Sequence, residues 1–229
     1  MTELLQSVQD MHADLSHKIA PLTDPLYEPL RVLGKILNQD LGNMVYLACM
    51  VYSLIFCLIL GQIRVVWARK LFSSSAGLFL GFYFYGLLYF LNIAWVLLCF
   101  LSLAILPRKL GSNVMFMIAL VGMLTVTTYH WYFSNKVGQH DLDLIFMMNF
   151  IKLHMMAVNY ENAGKLKSKD EKVRLTLTAR EVKFAEPFET LISFSDFFHY
   201  MFFCASSWTG MSHDYLHFVE FINLKGGYA

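Results

Sequence analysis

Long uncharged runs, separated by short basic clusters, make up most of this chain. Residues 41–63 carry no charged side chain and are closed by Arg64, Arg69 and Lys70. At about 1.5 Å per residue in a helix, such a run crosses a hydrocarbon core of about 30 Å. Residues 71–107 are again uncharged and too long for one crossing. The chain must therefore reverse near Gly86–Asn92, giving spans at about 71–87 and 89–106. Gly77, Gly81 and Gly86 recur at intervals of four and five, which predicts a close-packed helix face. After Arg108 and Lys109, a fourth span at about 110–134 ends in Tyr129, Trp131, Tyr132 and Phe133, an aromatic cluster of the kind that favours the membrane interface. A fifth apolar segment covers about 144–160 and a sixth about 190–208. Between them, residues 161–189 carry seven Lys/Arg and read as a charged loop. The pattern is that of an all-α, polytopic integral membrane protein with five to six apolar helices over residues 41–224.

The ends differ from this middle. In residues 1–40, Leu4, Leu5, Val8, Met11 and Leu15 recur at helical spacing, as in a short amphipathic helix lying on a membrane or a partner. Pro21, Pro25 and Pro29 then recur every four residues, which predicts an extended or kinked connector, with one more short turn at 32–37. At the other end a short helix over 213–224, with Asp214 suited to its positive N-terminus, precedes a tail at 225–229.

Composition supports the membrane reading. Charged residues make up 15% of the chain and hydrophobic ones 57%, where soluble domains carry about 25% charge. The net charge of +1 offers no electrostatic footprint for nucleic acid. The four cysteines, Cys49, Cys57, Cys99 and Cys204, include no CxxC pair, so free buried thiols are expected in place of a disulfide framework or zinc ribbon. No signal peptide or Arg-rich leader is evident, which leaves the compartment open. With 64–70, 107–109 and 161–189 on one face of the membrane, that face receives twelve of the eighteen Lys/Arg, so it is read as cytoplasmic or matrix-facing.

Candidate chemistry centres on residues 129–164, YHWYFSNKVGQHDLDLIFMMNFIKLHMMAVNYENAG. Polar groups at membrane depth are costly and mark a pathway, a site or a partner helix. The competing reading is a helix end whose Lys and His reach the headgroups. His140-Asp141-x-Asp143 could orient an imidazole for general-base work, or form a polar linker, which is favoured. His130 reads as a packed interface histidine, and His154, beside Lys152 in mid-segment, is the more unusual case. His213 and His217 stand at helical i, i+4 spacing, but no third metal ligand is evident and helix-end histidines are favoured. A channel built on His130, His154 and Asp196 is a remote third reading. The chain holds no GxSxG, P-loop, GxGxxG or CxxCH, so hydrolase, nucleotide and haem-attachment readings lack support.

The order of elements resembles the N-terminal half of the membrane-bound O-acyltransferase family, its lysophospholipid acyltransferase branch in particular, over roughly residues 40–224. SSSAGLFLGFYFYG (73–86) is similar to that family's early Gly- and aromatic-rich span. The 129–164 segment resembles its His/Tyr, Leu-Asp, Lys and Asp-Gly pattern, with Ala163-Gly164 in place of the closing Asp-Gly. EPFETLISFSDFFHYMFFCASSWTGMSHDYLHFVEFI (186–222) is similar to its Pro-Ser-Leu-x-Glu-Tyr helix and the turn after it, although Thr209-Gly210-Met211 replaces Thr-Gly-Pro. The family's base histidine and its companion Asn or Asp belong to the C-terminal half, and no residue here matches them.

The resemblance implies half of an acyltransferase-like fold, serving as a non-catalytic transmembrane accessory subunit that holds lipid in a larger complex. The alternative is part of a lysophospholipid acyltransferase with acyl-CoA as substrate and the catalytic half on a separate chain. No catalytic residue, cofactor or metal is assigned. Asp141, Asp143, Lys152, His154, Arg64, Arg69 and Lys70 are candidate contacts to lipid or to other subunits. The expected partners are membrane lipids and membrane subunits of a hetero-oligomer, with no nucleic acid. The membrane would be the mitochondrial inner membrane for a subunit and the endoplasmic reticulum for an acyltransferase.

Overall fold

The computed structural model describes residues 25–86, 89–133, 143–168, 171–188, 190–206 and 213–225. The side chains of 126–127, 129–133 and 143–144 fall outside that description. The expectation of an all-α chain holds, since the described residues are helical with no strand. Two compact units divide the chain, Met1–Val51 and Tyr52–Ala229.

In the first unit a helix, α1, covers 25–37, where the proline spacing predicted an extended connector. The difference has a local cause. Pro25 stands at the start of the described helix, where a missing N–H costs nothing, and Pro29 falls early enough to forfeit a single backbone bond. Asn38 then takes the left-handed conformation (φ 54°), and the Gln39 amide donates to the Gly34 carbonyl at 2.9 Å. Those are the marks of a Schellman stop. Asp40 restarts the helix by accepting from the Asn43 amide at 3.2 Å. The helix it starts, α2 (Leu41–Gln62), has a mean hydropathy of 2.3 over eighteen residues and is, among the described residues, the one helix long and apolar enough to cross a membrane.

The second unit takes in the end of α2 together with α3 (Val66–Tyr85), α4 (Tyr89–Ile105), α5 (Arg108–Phe133) and α6 (Asp143–Leu166). Arg69 and Lys70 lie within the first turns of α3 and not in a loop. Gly86 (φ 58°) ends α3, and its N–H donates back to the Phe82 carbonyl. In α4, the buried residues Tyr89, Asn92, Val96, Cys99 and Leu103 follow one helical stripe, while Phe90, Leu91, Leu98, Leu101 and Ile105 on the remaining surface are exposed. At 17 residues α4 is about 26 Å long.

Helices α5 and α6 pack antiparallel. Phe116 meets Phe150 with ring centroids 5.4 Å apart, and the Arg108 guanidinium lies 4.4 Å from the Tyr160 ring centroid. The Ser112 hydroxyl donates to Glu161, which also pairs with Lys165 at 3.0 Å. Glycine admits two rings into the bundle. A Cβ on Gly81 would stand 2.1 Å from the Tyr89 ring, and one on Gly122 2.2 Å from Trp95.

Past Leu166 the helices become short: α7 (Glu171–Arg174), α8 (Ala179–Ala185), a 3-10 turn at Glu186–Phe188, α9 (Phe194–Met201) and α10 (Tyr215–Ile222). Two expectations change here. The charged loop read over 161–189 contains the last turns of α6 and two further helices. In the apolar segment read as a span at about 190–208, the described residues hold the eight-residue helix α9, about 12 Å long. Ser193 caps α9 by accepting from the Asp196 amide at 3.1 Å.

Thr178 and Glu181 form a reciprocal capping box at the start of α8. The Thr178 amide and hydroxyl donate to the Glu181 carboxylate at 2.8 and 2.7 Å, and the Glu181 amide donates to the Thr178 hydroxyl at 3.3 Å. The Thr178 amide bond, then its hydroxyl bond, hold the Glu181 carboxyl below its ordinary value against a smaller opposing effect of burial.

A carboxyl lowered on folding contributes stability above its ordinary range and loses it as pH falls through the lowered value. The Thr178 amide resonance should therefore titrate with a midpoint below that of glutamate in an unfolded peptide. A midpoint equal to the peptide's would show that the box does not form. Gly81→Ala should lower stability by about 1–3 kcal/mol through overpacking against Tyr89. Gly111→Ala, where nothing lies within 4 Å of the new Cβ, should not. Thermal unfolding in detergent compares the two, and equal melting temperatures would refute the ring contact.

Candidate functional site

Helix α6 buries Ile145, Asn149, Lys152, Met156, Asn159 and Ala163, a seam at alternating steps of four and three residues. This periodicity puts a lysine and two asparagines on the core face of the helix. Lys152 is fully enclosed at 0% exposure. Its ammonium donates to the Ser206 hydroxyl at 2.7 Å, the Ser206 carbonyl at 3.2 Å and the Met201 carbonyl at 3.3 Å, and it lies 5.5 Å from the Tyr200 ring centroid. Three N–H donors thus meet three acceptors. Among the described residues no carboxylate pairs with it. Met201 closes α9, so a cation is placed where carbonyls left without helical partners collect. One turn before Lys152, the Asn149 amide donates to the Asn92 side-chain carbonyl at 2.5 Å, joining α6 to α4.

A second polar group lies between α3 and α9. Lys70 forms an ion pair with Asp196, and the Ser193 hydroxyl donates to the same carboxylate at 3.0 Å. His199 Nδ1 lies 2.9 Å from the Ser74 oxygen. The Ser74 hydroxyl has backbone acceptors at Lys70 and Leu71, 3.1 and 3.2 Å away. In the tautomer that satisfies both contacts, His199 donates to Ser74 and does not take its proton. That arrangement ties two helices together and supplies no activated nucleophile.

Beside it, Arg69 is 1% exposed. It donates to the Ile63 carbonyl at 2.9 Å and the Phe221 carbonyl at 3.0 Å, with its guanidinium 4.7 Å from the Phe221 ring centroid.

The residues singled out from sequence therefore have unlike surroundings. Lys152, Arg69 and Lys70 are engaged within the protein, the first two almost wholly enclosed. Arg64 is exposed. His154 packs against Phe116 (5.4 Å between centroids) and Phe150 (6.1 Å), and its Nδ1 is buried without a hydrogen-bond partner among the described residues. Asp141 lies outside the described residues, and Asp143 opens α6 with its side chain outside them. His130, as a side chain, and His140 are likewise outside. His213 precedes the helix α10 and packs against Tyr200 and Phe203, while His217 packs against Phe184, so the two imidazoles do not share a helix face. No contact among the described residues joins Asp196 to His154.

The sequence reading did not single out Ser206, Asn92, Ser74 or His199 as partners. The steps of three and four linking Asn149, Lys152 and Met156 were the available signal that Lys152 faces inward. Neither protein-family models, nor curated proteins, nor solved structures give a match to this chain.

Removing the ammonium should leave the Met201 and Ser206 carbonyls buried without a donor. Lys152→Met is expected to cost about 1–3 kcal/mol for each group left unsatisfied. Ser206→Ala, which keeps both carbonyl contacts, should cost less. Thermal unfolding in detergent gives the order, and a neutral Lys152→Met would exclude the carbonyl-capping role.

Proposed function

We propose that the chain is a polytopic integral membrane protein in which α2 to α6 lie across the bilayer. In this reading it is half of an acyltransferase-like helical fold acting as a non-catalytic, lipid-contacting accessory subunit of a larger membrane complex. The observation that carries the membrane part is the placing of polarity. Arg69, Lys152, Asn92 and Asn149 are buried, while Leu54, Leu58, Leu98, Leu101, Ile105, Val121 and Leu124 are exposed, Ile105 at 81%. A water-soluble bundle would leave those side chains bare along several helices, well beyond the apolar patches that soluble monomers expose. A bilayer covers them.

The accessory part rests on how the buried cations are used. The cations that could have formed a site are committed to the protein's own carbonyls and to Asp196. Arg64 and Lys109 remain exposed beside the ends of α2 and α5, suited to phospholipid headgroups. A mitochondrial inner membrane with the basic segments toward the matrix fits this reading.

Membranes containing the chain should retain it in the pellet after alkaline carbonate extraction. Mild detergent should release it together with other membrane subunits, in a complex larger than the chain alone. Release into the carbonate supernatant would end the membrane reading. Purification as a stable, isolated monomer would end the subunit reading. Transfer of acyl groups from acyl-CoA to lysophospholipid by the purified complex would replace it with the acyltransferase alternative.

A further inference from the structure

The short helices α7 and α8 rest on α6 and carry cations on their outer side. Lys172 and Arg174 on α7, and Arg180 and Lys183 on α8, are all exposed. Between the two helices stands Leu175, 76% exposed, with basic residues before and after it in the chain. Rings fasten the inner side of this segment to α10. Phe184 meets His217 and Phe188 meets Tyr215, at centroid distances of 5.5 and 5.2 Å. The carboxylates of the segment do not cancel its cations. Glu181 is engaged in its capping box, which leaves the exposed Glu171 and Glu186 against four basic side chains.

The same end of the second unit exposes another large apolar side chain among cations. Helix α10 also meets the start of α3, through the bond from Arg69 to the Phe221 carbonyl. Trp67, two residues before Arg69, is 70% exposed, and Arg64 near it is exposed as well. Helix α5 begins at this end too, since Arg108 lies against Tyr160 in the last third of α6, and Lys109 beside it is exposed. Cations alone would suit water. A tryptophan and a leucine bare among them suit the boundary between headgroups and acyl chains.

We propose that the α7–α8 segment is a docking surface for anionic phospholipid. Lys172, Arg174, Arg180 and Lys183 pair with headgroup phosphates of the adjoining leaflet, and Leu175 enters the acyl boundary. This rests on the membrane reading above and adds the class of lipid that the basic end takes. In zwitterionic lipid each phosphate is balanced by its own ammonium, so only an anionic leaflet presents a field that attracts the whole cluster. Each basic residue at such a surface contributes about fivefold to binding.

The full chain, purified with any companion subunits, is placed in nanodiscs of phosphatidylcholine alone or mixed with phosphatidylglycerol. Hydrogen exchange, read by peptide mass spectrometry, compares residues 171–183 between the two. Exchange should be at least about tenfold slower with phosphatidylglycerol, as engagement of two of the four cations already requires. Salt at about 1 M, where the Debye length is about 3 Å, should abolish the difference. Lys172→Gln, Arg174→Gln, Arg180→Gln and Lys183→Gln combined should abolish it as well. Equal exchange in the two lipids, whether fast or slow, would overturn the proposal, as would a difference that persists in salt or in the variant. Peptides from α2 separate this proposal from the membrane reading. If they resist exchange in both discs while 171–183 shows no dependence on lipid, the docking surface fails and the membrane reading stands. If they exchange freely, both fail. The wild-type comparison decides the matter even where the variant fails to fold.

Discussion

Interrupted backbone in an apolar setting must find hydrogen-bond donors, and the second unit is built around supplying them. Among its described residues the segment after Phe188 forms no long helix; it contains α9, a turn and α10. Each short helix leaves carbonyls without an intrahelical partner. Side chains from elsewhere reach them: Lys152 to Met201 and Ser206, Arg69 to Phe221, Ser53 to Cys204, and Tyr200 to His213 at 2.6 Å. Irregular backbone away from water is tolerated where the protein supplies its hydrogen-bond partners. The enclosed lysine and arginine serve that requirement.

This explains why three cations from α3 and α6 converge on one stretch of chain. A long-stemmed lysine or arginine can stand on a regular helix and still reach a carbonyl on a neighbouring one. Arg69 serves two carbonyls with one planar group, a geometry a lysine would not reproduce. Lys152 instead points a compact charge at three acceptors. Lys70 meets Asp196 in the first turn of α9, where the carboxylate also favours the helix N-terminus. Rings fill the remaining space: Tyr200 stacks edge-on to Tyr215 and Phe218, and Phe100 meets Phe194 and Phe197.

Helices α2, α4 and α5 were legible because each coincides with a long uncharged run bounded by charge or by the break near Gly86. The short ones were less so. Residues 190–208 are apolar enough to be read as a span, yet hydropathy does not report that Ser193 starts a helix and that α9 stops eight residues later. The helix at 25–37 was missed because proline spacing was weighed without asking where in a helix each proline falls. The helices within 161–189 were obscured by charge, although Thr178-x-x-Glu181 spells a capping box. At the candidate site, the types of the polar residues were informative and their partners were not. Ser206 is 54 positions from Lys152, and Asn92 is 57 from Asn149. Such pairings belong to tertiary packing, which local pattern does not encode.

A lone charged residue in an apolar segment invites a catalytic or conductive reading, because the cost of burying it appears to demand a function. Here the Lys152 amine is fully enclosed and has three acceptors within the protein. Using every donor lowers the cost of burying the group. The need is set by the carbonyls of the broken segment and the lysine answers it. Any long donor on the same face of α6 meets part of that need, but a branched apolar residue there meets none of it. The polar residues of 129–164 that the structure describes are therefore best understood through the helices they fasten, with Lys152 holding the α9 turn and Asn149 holding α4.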